Sequence, residues 1–445
     1  MALKRRIAAG QAGHIDDHGE IHALLAGRPW NNVGGYPSLQ GAHDDLPVDG
    51  GTLLIPTATT IELRETVSIT KPVSLLGLGR SARITARGGD FHLLRVVGVD
   101  GFSMQGVTLD GGSPRRTAGT LVDLIDCSDV LVERCRLINA PETAIAITRG
   151  DRIWIERNHL HNLGGSGVRM NDPGEGRSNS RIWIARNHIQ KHQQKGVGGN
   201  AAIQSHGDSS AGRVQEQFFI MHNRIMCEPP GGVGIGLDWA NDTLVEGNVV
   251  TGTGKGAQGE GIAFTGSRNR IIGNRTKNTN AAGILLFATA RGGNADNEIA
   301  HNICTDAADQ GIALAWGESG ATISNVSIHH NRCFVEGRRS QHWGVQSYAH
   351  DGVTDYAWEG VDLHDNNLRG NLSGGYNLLL EAAVLRRGNL VGPSSYDVLA
   401  PSSAWNGSHL KVGEHAIWVD SAGRLRVKKG IPVSDSDGSV VGRQS

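Results

Sequence analysis

Three stretches of similar sequence, "GVRMND" at 167–172, "AIQSH" at 202–206 and "GIGLDW" at 234–239, end in residues that could move protons. Asp172 and Asp238 offer two carboxyls, and His206 an imidazole between them. Cleavage of a glycosidic bond needs such a set, one acid to protonate the leaving oxygen and one carboxylate to act on water or on the anomeric carbon. His206 could relay protons or orient a partner. Arg169 could hold an acidic sugar, with Asn171, Gln204 and Trp239 as further substrate-binding candidates. Elimination from a uronic-acid polymer is the other chemistry open to these residues, with His206 or Lys195 as the base. Binding without cleavage and a plain solvated polar surface stay open beside both, because no motif here fixes a reaction.

What would bring these residues together is a repeat. "RIWIERNHL" at 152–160 returns as "RIWIARNHI" at 181–189, and the asparagine in that phrase heads a series: Asn158, Asn187, Asn223, Asn248, Asn274, Asn302, Asn331, Asn366 and Asn389. Three residues before most of them stands an aliphatic side chain, from Ile155 and Ile184 to Leu363. A second column reads Gly or Ala, β-branched, any residue, apolar, and includes the three stretches above. Short alternating strands separated by Asn or Gly turns, recurring every few tens of residues, cannot bury an apolar side alone and must stack on their neighbours. Stacked turn asparagines can pass amide hydrogen bonds from coil to coil. The expectation is an all-β parallel β-helix, right-handed by the crossover rule.

With coils about 4.8 Å apart, Asp172 and Asp238 fall two coils or about 9–10 Å apart along the axis, nearer to inverting than to retaining spacing. The same coils carry the long loops "NDPGEGRSNS", "QKHQQKGVGGN" and "SHGDSSAGRVQEQ", the kind of segment on which sites are built. Outward positions four before the asparagines read Leu131, Trp154, Trp183, Phe219 and Leu244. That stripe is about 20 Å long and should be covered, by a neighbouring subunit, by a loop of the same chain or by a glycan.

Gly 63 against Pro 13, with 5% aromatic residues, suits many strands and tight turns. A net charge of -1 gives no footprint for nucleic acid or an anionic membrane. No apolar stretch suggests a signal peptide or a membrane span. Five scattered cysteines do not make a disulfide framework, and Cys304 and Cys333, each two residues after its asparagine, should stack in the interior. His14, His18 and His22 share a helical face and could in principle hold a metal, but no Cys stands near and no acidic residue is obviously placed to orient them. No metal and no cofactor is expected. Glu260 and Glu318 read as surface charges, and "GTGKGAQGEG" at 252–261 lacks the GK[ST] of a phosphate loop.

These columns resemble the pectate-lyase-like right-handed β-helix family over about residues 50–395. The two ends, "AGQAGHIDDHGEIHALL" and "WVDSAGRLRVKKGIPVSDSDGSVVG", resemble minor tail proteins of phages that infect actinobacteria. The resemblance implies a virion protein made in the host cytoplasm, a homotrimer whose partners are other phage tail proteins and host cell-surface polysaccharide. In this reading residues 1–45 form a helical attachment segment, 46–400 the β-helix, and 401–445 a C-terminal β-hairpin module and tail. The alternative is a stand-alone polysaccharide lyase or glycoside hydrolase of the pectate-lyase-like group.

Overall fold

A computed structural model describes residues 29–441 apart from 80, 113–115, 172–173, 175–176, 196–200, 208–213, 253–258, 291–292, 338–340, 380–383, 392–395, 399–409, 413–414, 430–433 and 435. The N-terminal motif with His14, His18 and His22 lies outside the described residues, as does Asp172. The chain divides into two compact units, residues 1–264 and 265–445.

In the first unit each coil is three short strands, and each strand pairs in parallel with its counterpart one coil on. One coil runs Ile145–Thr148, Asp151–Glu156 and His159–His161, the next Val168–Met170, Ser180–Ala185 and His188–Gln190, the next Ile203–Ser205, Gln215–Met221 and Arg224–Met226. The register sets Ile145 on Val168, Ile203, Ile235 and Ile262 in turn, and Ile155 on Ile184 and Ile220. Alternation sends these aliphatic chains inward, where they are fully buried.

The asparagines make the expected ladder. Asn158 donates through Nδ2 to Asn187 Oδ1 (3.1 Å), Asn187 to Asn223 Oδ1 (3.0 Å) and Asn223 to Asn248 Oδ1 (2.9 Å). The same amides reach back to strand carbonyls, Asn187 to that of Ile155 at 2.8 Å. The residue before each rung turns the chain with positive φ: Arg157 at 55°, Arg186 at 56° and His222 at 56°. A non-glycine residue pays on the order of 1 kcal/mol or more for that conformation, and the amide bonds that each turn presents to its neighbours offset it. Cys135 stands at the edge of the ladder, its N–H donating to Asn158 Oδ1 at 2.9 Å.

The sheets draw on residues ahead of 46. Trp30–Asn32 pairs with Thr52–Leu54, and helix Leu39–Asp44 follows with Leu39, Ala42 and His43 buried. Its side chains take the place of a missing strand beside Val67–Ile69: Gln40 Oε1 accepts from Ser68 N (2.8 Å), Gln40 Nε2 donates to Ser68 O (3.2 Å), and His43 Nε2 accepts from Thr70 N (3.2 Å).

The second unit repeats the coil plan. Its ladder runs from Asn274 through Asn302, Asn331 and Asn366 to Asn389, each rung bonded to the next at 2.8–3.1 Å. Cys304 and Cys333 stack as neighbours, fully buried. After the coils comes an antiparallel sheet of Leu410–Val412, His415–Val419, Leu425–Lys429 and Ser439–Val440. Its central hairpin is the one that "IWVDSAGRLRV" suggests. Asp420, at the turn, accepts from Arg424 Nε (2.9 Å) and Arg426 Nε (2.5 Å), and these guanidinium groups hold its carboxyl well below the usual range.

Candidate functional site

The outward face of one sheet in the first unit carries the candidate residues. Arg169 pairs with Gln204, and Gln204 with Gly236, one coil apart each time. Just past these strands, Asn171, His206 and Asp238 leave the sheet together, tied by backbone bonds from His206 N to Met170 O (2.9 Å) and from Gly207 N to Asp238 O (3.0 Å). The turn beneath them is fixed from inside by two buried amides: Asn179 Nδ2 donates to Asn171 O (2.9 Å) and to Gln215 Oε1 (3.0 Å), while Gln215 Nε2 donates to His206 O. Such buried supports hold the outward side chains in place.

His206 Nδ1 lies 3.6 Å from Asp238 Oδ2. The Asp238 side chain keeps 53% of its surface, yet the protein crowded around the carboxyl pushes its pKa up to about 6. Burial disfavours the charged form, although solvent on the open half weakens that effect. An acid titrating near 6 beside an imidazole is suited to proton donation near neutral pH. Arg169 is half-buried, its Nε without a hydrogen-bond partner. Burial draws its pKa down and the carboxylate of Glu142 opposes this. Asn171 donates to Thr148 Oγ1 at 3.0 Å. Trp239 turns the chain with φ 54°, next to Asp238.

Two candidates sit differently from the outward reading. Gln204 is only 2% exposed and accepts from Ser166 Oγ at 3.2 Å, so its amide braces the sheet. Lys195 donates to the carbonyl of Thr117, a bond that commits the ammonium away from the His206 and Asp238 pair.

Glu260 departs from the surface position expected of it. It is 7% exposed, not a surface charge, and burial pushes its pKa up to about 7. Glu318 is half-buried, accepting from Ala290 N at 3.1 Å. The same face extends further than the three chosen coils: Asp123 and Arg95 continue the Arg169 column, with Arg95 Nε 3.5 Å from Asp123 Oδ2 and the Asp123 pKa raised by burial. Following the outward column two coils earlier finds Asp123, and one coil further finds Arg95.

On the neighbouring sheet the aromatic stripe is continuous. Trp154 and Trp183 stack at 4.8 Å and 7°, and Trp183 and Phe219 at 5.0 Å and 8°. Leu131 and Trp154 are 6% and 5% exposed within the single chain, so intramolecular packing already covers that end, while Trp183, Phe219 and Leu244 remain half-buried. Among the described residues no helix is long and apolar enough to cross a membrane.

A family model described as "Right handed beta helix region" matches residues 124–328 and 210–390, together more than half of the chain. A second, described as "Capsule depolymerase", matches residues 360–443. No curated protein matches the sequence. Among solved structures, a mannuronic acid specific polysaccharide family 6 lyase from human gut microbiota superposes with a TM-score of 0.54 at 14% identity, over 81% of this chain and 86% of that one. The catalytic domain of a GH87 alpha-1,3-glucanase in complex with nigerose gives 0.58 at 11%, over 81% and 69%. The catalytic unit of a GH87 alpha-1,3-glucanase from Streptomyces thermodiastaticus gives 0.52 at 15%, over 84% and 69%. At these identities the likeness is one of fold.

Proposed function

As the chain belongs to the right handed beta helix family, we propose that it is a phage tail component that engages host cell-surface polysaccharide and cleaves it. The observation that carries this reading is the match of residues 360–443 to the Capsule depolymerase model. It falls on the end of the chain whose sequence resembles the closing segment of phage minor tail proteins. The fold shared with glycan-cleaving enzymes is in keeping with it. The protein assembles in the virion beside other tail proteins, is made in the host cytoplasm, and associates as a homotrimer through Trp183, Phe219 and Leu244.

In this reading the reaction is hydrolysis at the outward face of the first unit. Asp238, protonated in part near pH 6, gives its proton to the glycosidic oxygen as the bond to the anomeric carbon breaks. Asp172, one residue beyond Asn171, takes a proton from the water whose oxygen bonds that carbon. His206 relays the proton taken up by Asp172 on to Asp238, which restores both carboxyls, and Arg169 binds a carboxylate or other acidic substituent of the sugar. The test is release of reducing ends from host cell-wall polysaccharide by the purified protein. Asp238→Asn is expected to lower the rate by about 100-fold or more, the usual contribution of a general acid. An unsaturated product absorbing in the ultraviolet would replace hydrolysis by elimination, and no release by the wild type would refute cleavage.

A further inference from the structure

The second unit gathers four imidazoles at one turn. The residues before the ladder rungs Asn302, Asn331 and Asn366 are His301, the pair His329 and His330, and the pair His364 and Asp365. Register stacks Ala300, His329 and His364 in one column. His301, His330 and Asp365 occupy the next one, each with positive φ (58°, 56° and 53°). The rungs beneath are bonded to one another, so the turns that present these rings are fixed before any ligand arrives.

We propose that His301, His329 and His330 bind one divalent transition-metal ion of the zinc class. Their ligand nitrogens all lie within 4.8 Å of one another. His329 Nδ1 and His330 Nδ1 face each other at 3.0 Å, close to the separation of about 3.3–3.4 Å that two nitrogens adopt on a tetrahedral zinc ion at ~2.0–2.1 Å. The outer contacts fit as well. Glu298 Oε1 lies 3.2 Å from His329 Nε2, and its Oε2 accepts from Arg270 Nε at 2.7 Å. A carboxylate that accepts from Nε2–H leaves the lone pair on Nδ1, the nitrogen that faces His330, and this is how a carboxylate orients a metal-binding histidine. Imidazole ligands suit zinc, copper and nickel over calcium or magnesium. Because His301 lies one coil before His329 and His330, a bound ion clips two coils together.

His330 also belongs to a second group, with His364 and Asp365. There Asp365 Oδ2 already bonds His364 Nδ1 at 2.9 Å, which favours the three-histidine set. Untagged full-length protein, dialysed free of metal, is titrated with Zn(II) and, for its visible spectrum, Co(II). The expected result is one equivalent per chain at this site, lost in His301→Ala and in the gentler His301→Gln, lost in His330→Ala and kept in His364→Ala. Glu298→Gln should weaken binding by about 10–100-fold. His14, His18 and His22 are present in every variant, so metal held there cancels in the comparison. Binding that survives both His301 variants in protein with unchanged circular dichroism, or none in the wild type, overturns the assignment.

Discussion

Replacing Asn187 by Ala tests whether the amide ladder holds the coils together. The side chain makes four hydrogen bonds: Nδ2 to Ile155 O (2.8 Å) and to Asn223 Oδ1 (3.0 Å), and Oδ1 from Asn158 N (3.0 Å) and Asn158 Nδ2 (3.1 Å). Truncation leaves the buried Asn158 N–H without an acceptor, which costs roughly 1–3 kcal/mol, and forfeits three further bonds of about 0.5–1.5 kcal/mol each. The asparagine carbonyl and strand carbonyl keep other partners, so the expected loss is about 3–5 kcal/mol. Urea denaturation followed by tryptophan fluorescence reads it, because Trp154 and Trp183 lie in the adjoining strands. Asn158→Ala removes one of the same bonds, Asn158 Nδ2 to Asn187 Oδ1, so the double variant should cost less than the two singles together by about 0.5–1.5 kcal/mol. A loss below about 1 kcal/mol for Asn187→Ala, or strict additivity, would mean that apolar stacking alone sets the coil spacing.

Three further outcomes are expected. Glu260, buried with its pKa raised to about 7, keeps its proton in the folded state while the unfolded chain loses it, so stability should fall as pH rises from about 4.5 to 7 and level off above. Glu260→Gln should therefore match wild type near pH 4 and exceed it by up to about 3 kcal/mol at pH 8, and a pH-independent difference in melting counts against the buried carboxyl. The Asp420 shift has the opposite sign: Arg426 and Arg424 lower its pKa, so the hairpin gains support above the ordinary carboxylate range and loses it as pH falls. Protection factors against hydrogen exchange at 415–429, taken relative to the intrinsic rate at each pH, should fall on acidification in wild type and already be low at neutral pH in Asp420→Asn. Finally, Trp183→Ser combined with Phe219→Ser should convert the proposed trimer to a smaller species by light scattering; an unchanged mass removes the stripe as the contact.

The two columns that define the coil were legible because they depend on local periodicity alone: an inward aliphatic residue three before each asparagine, and a small residue opening each strand of the other sheet. Ile155 on Ile184, and Asn158 on Asn187, follow directly. What the sequence hid is burial that depends on the shape of turns. Glu260 stands outside any strand, two residues before Ile262–Phe264, where alternation has no bearing and only the neighbouring coil decides exposure. Gln204 occupies an outward position by parity, yet Ser166 lies close enough to engage it. Trp154 is outward by parity, but the packing that covers it comes from the chain itself. The histidines before Asn302, Asn331 and Asn366 were present in the text all along. Their convergence needed the left-handed turn, which swings alternate side chains to one side of the rung.

The helix Leu39–Asp44 bears on how copies of this chain can associate. Gln40 and His43 already make the bonds that a further strand would offer to Ser68 and Thr70. An open edge of this kind would otherwise recruit a second molecule and propagate into fibres. With Val67–Ile69 occupied in this way, backbone pairing of a second molecule on this strand is closed off, and a partner that meets it is chosen by side chains.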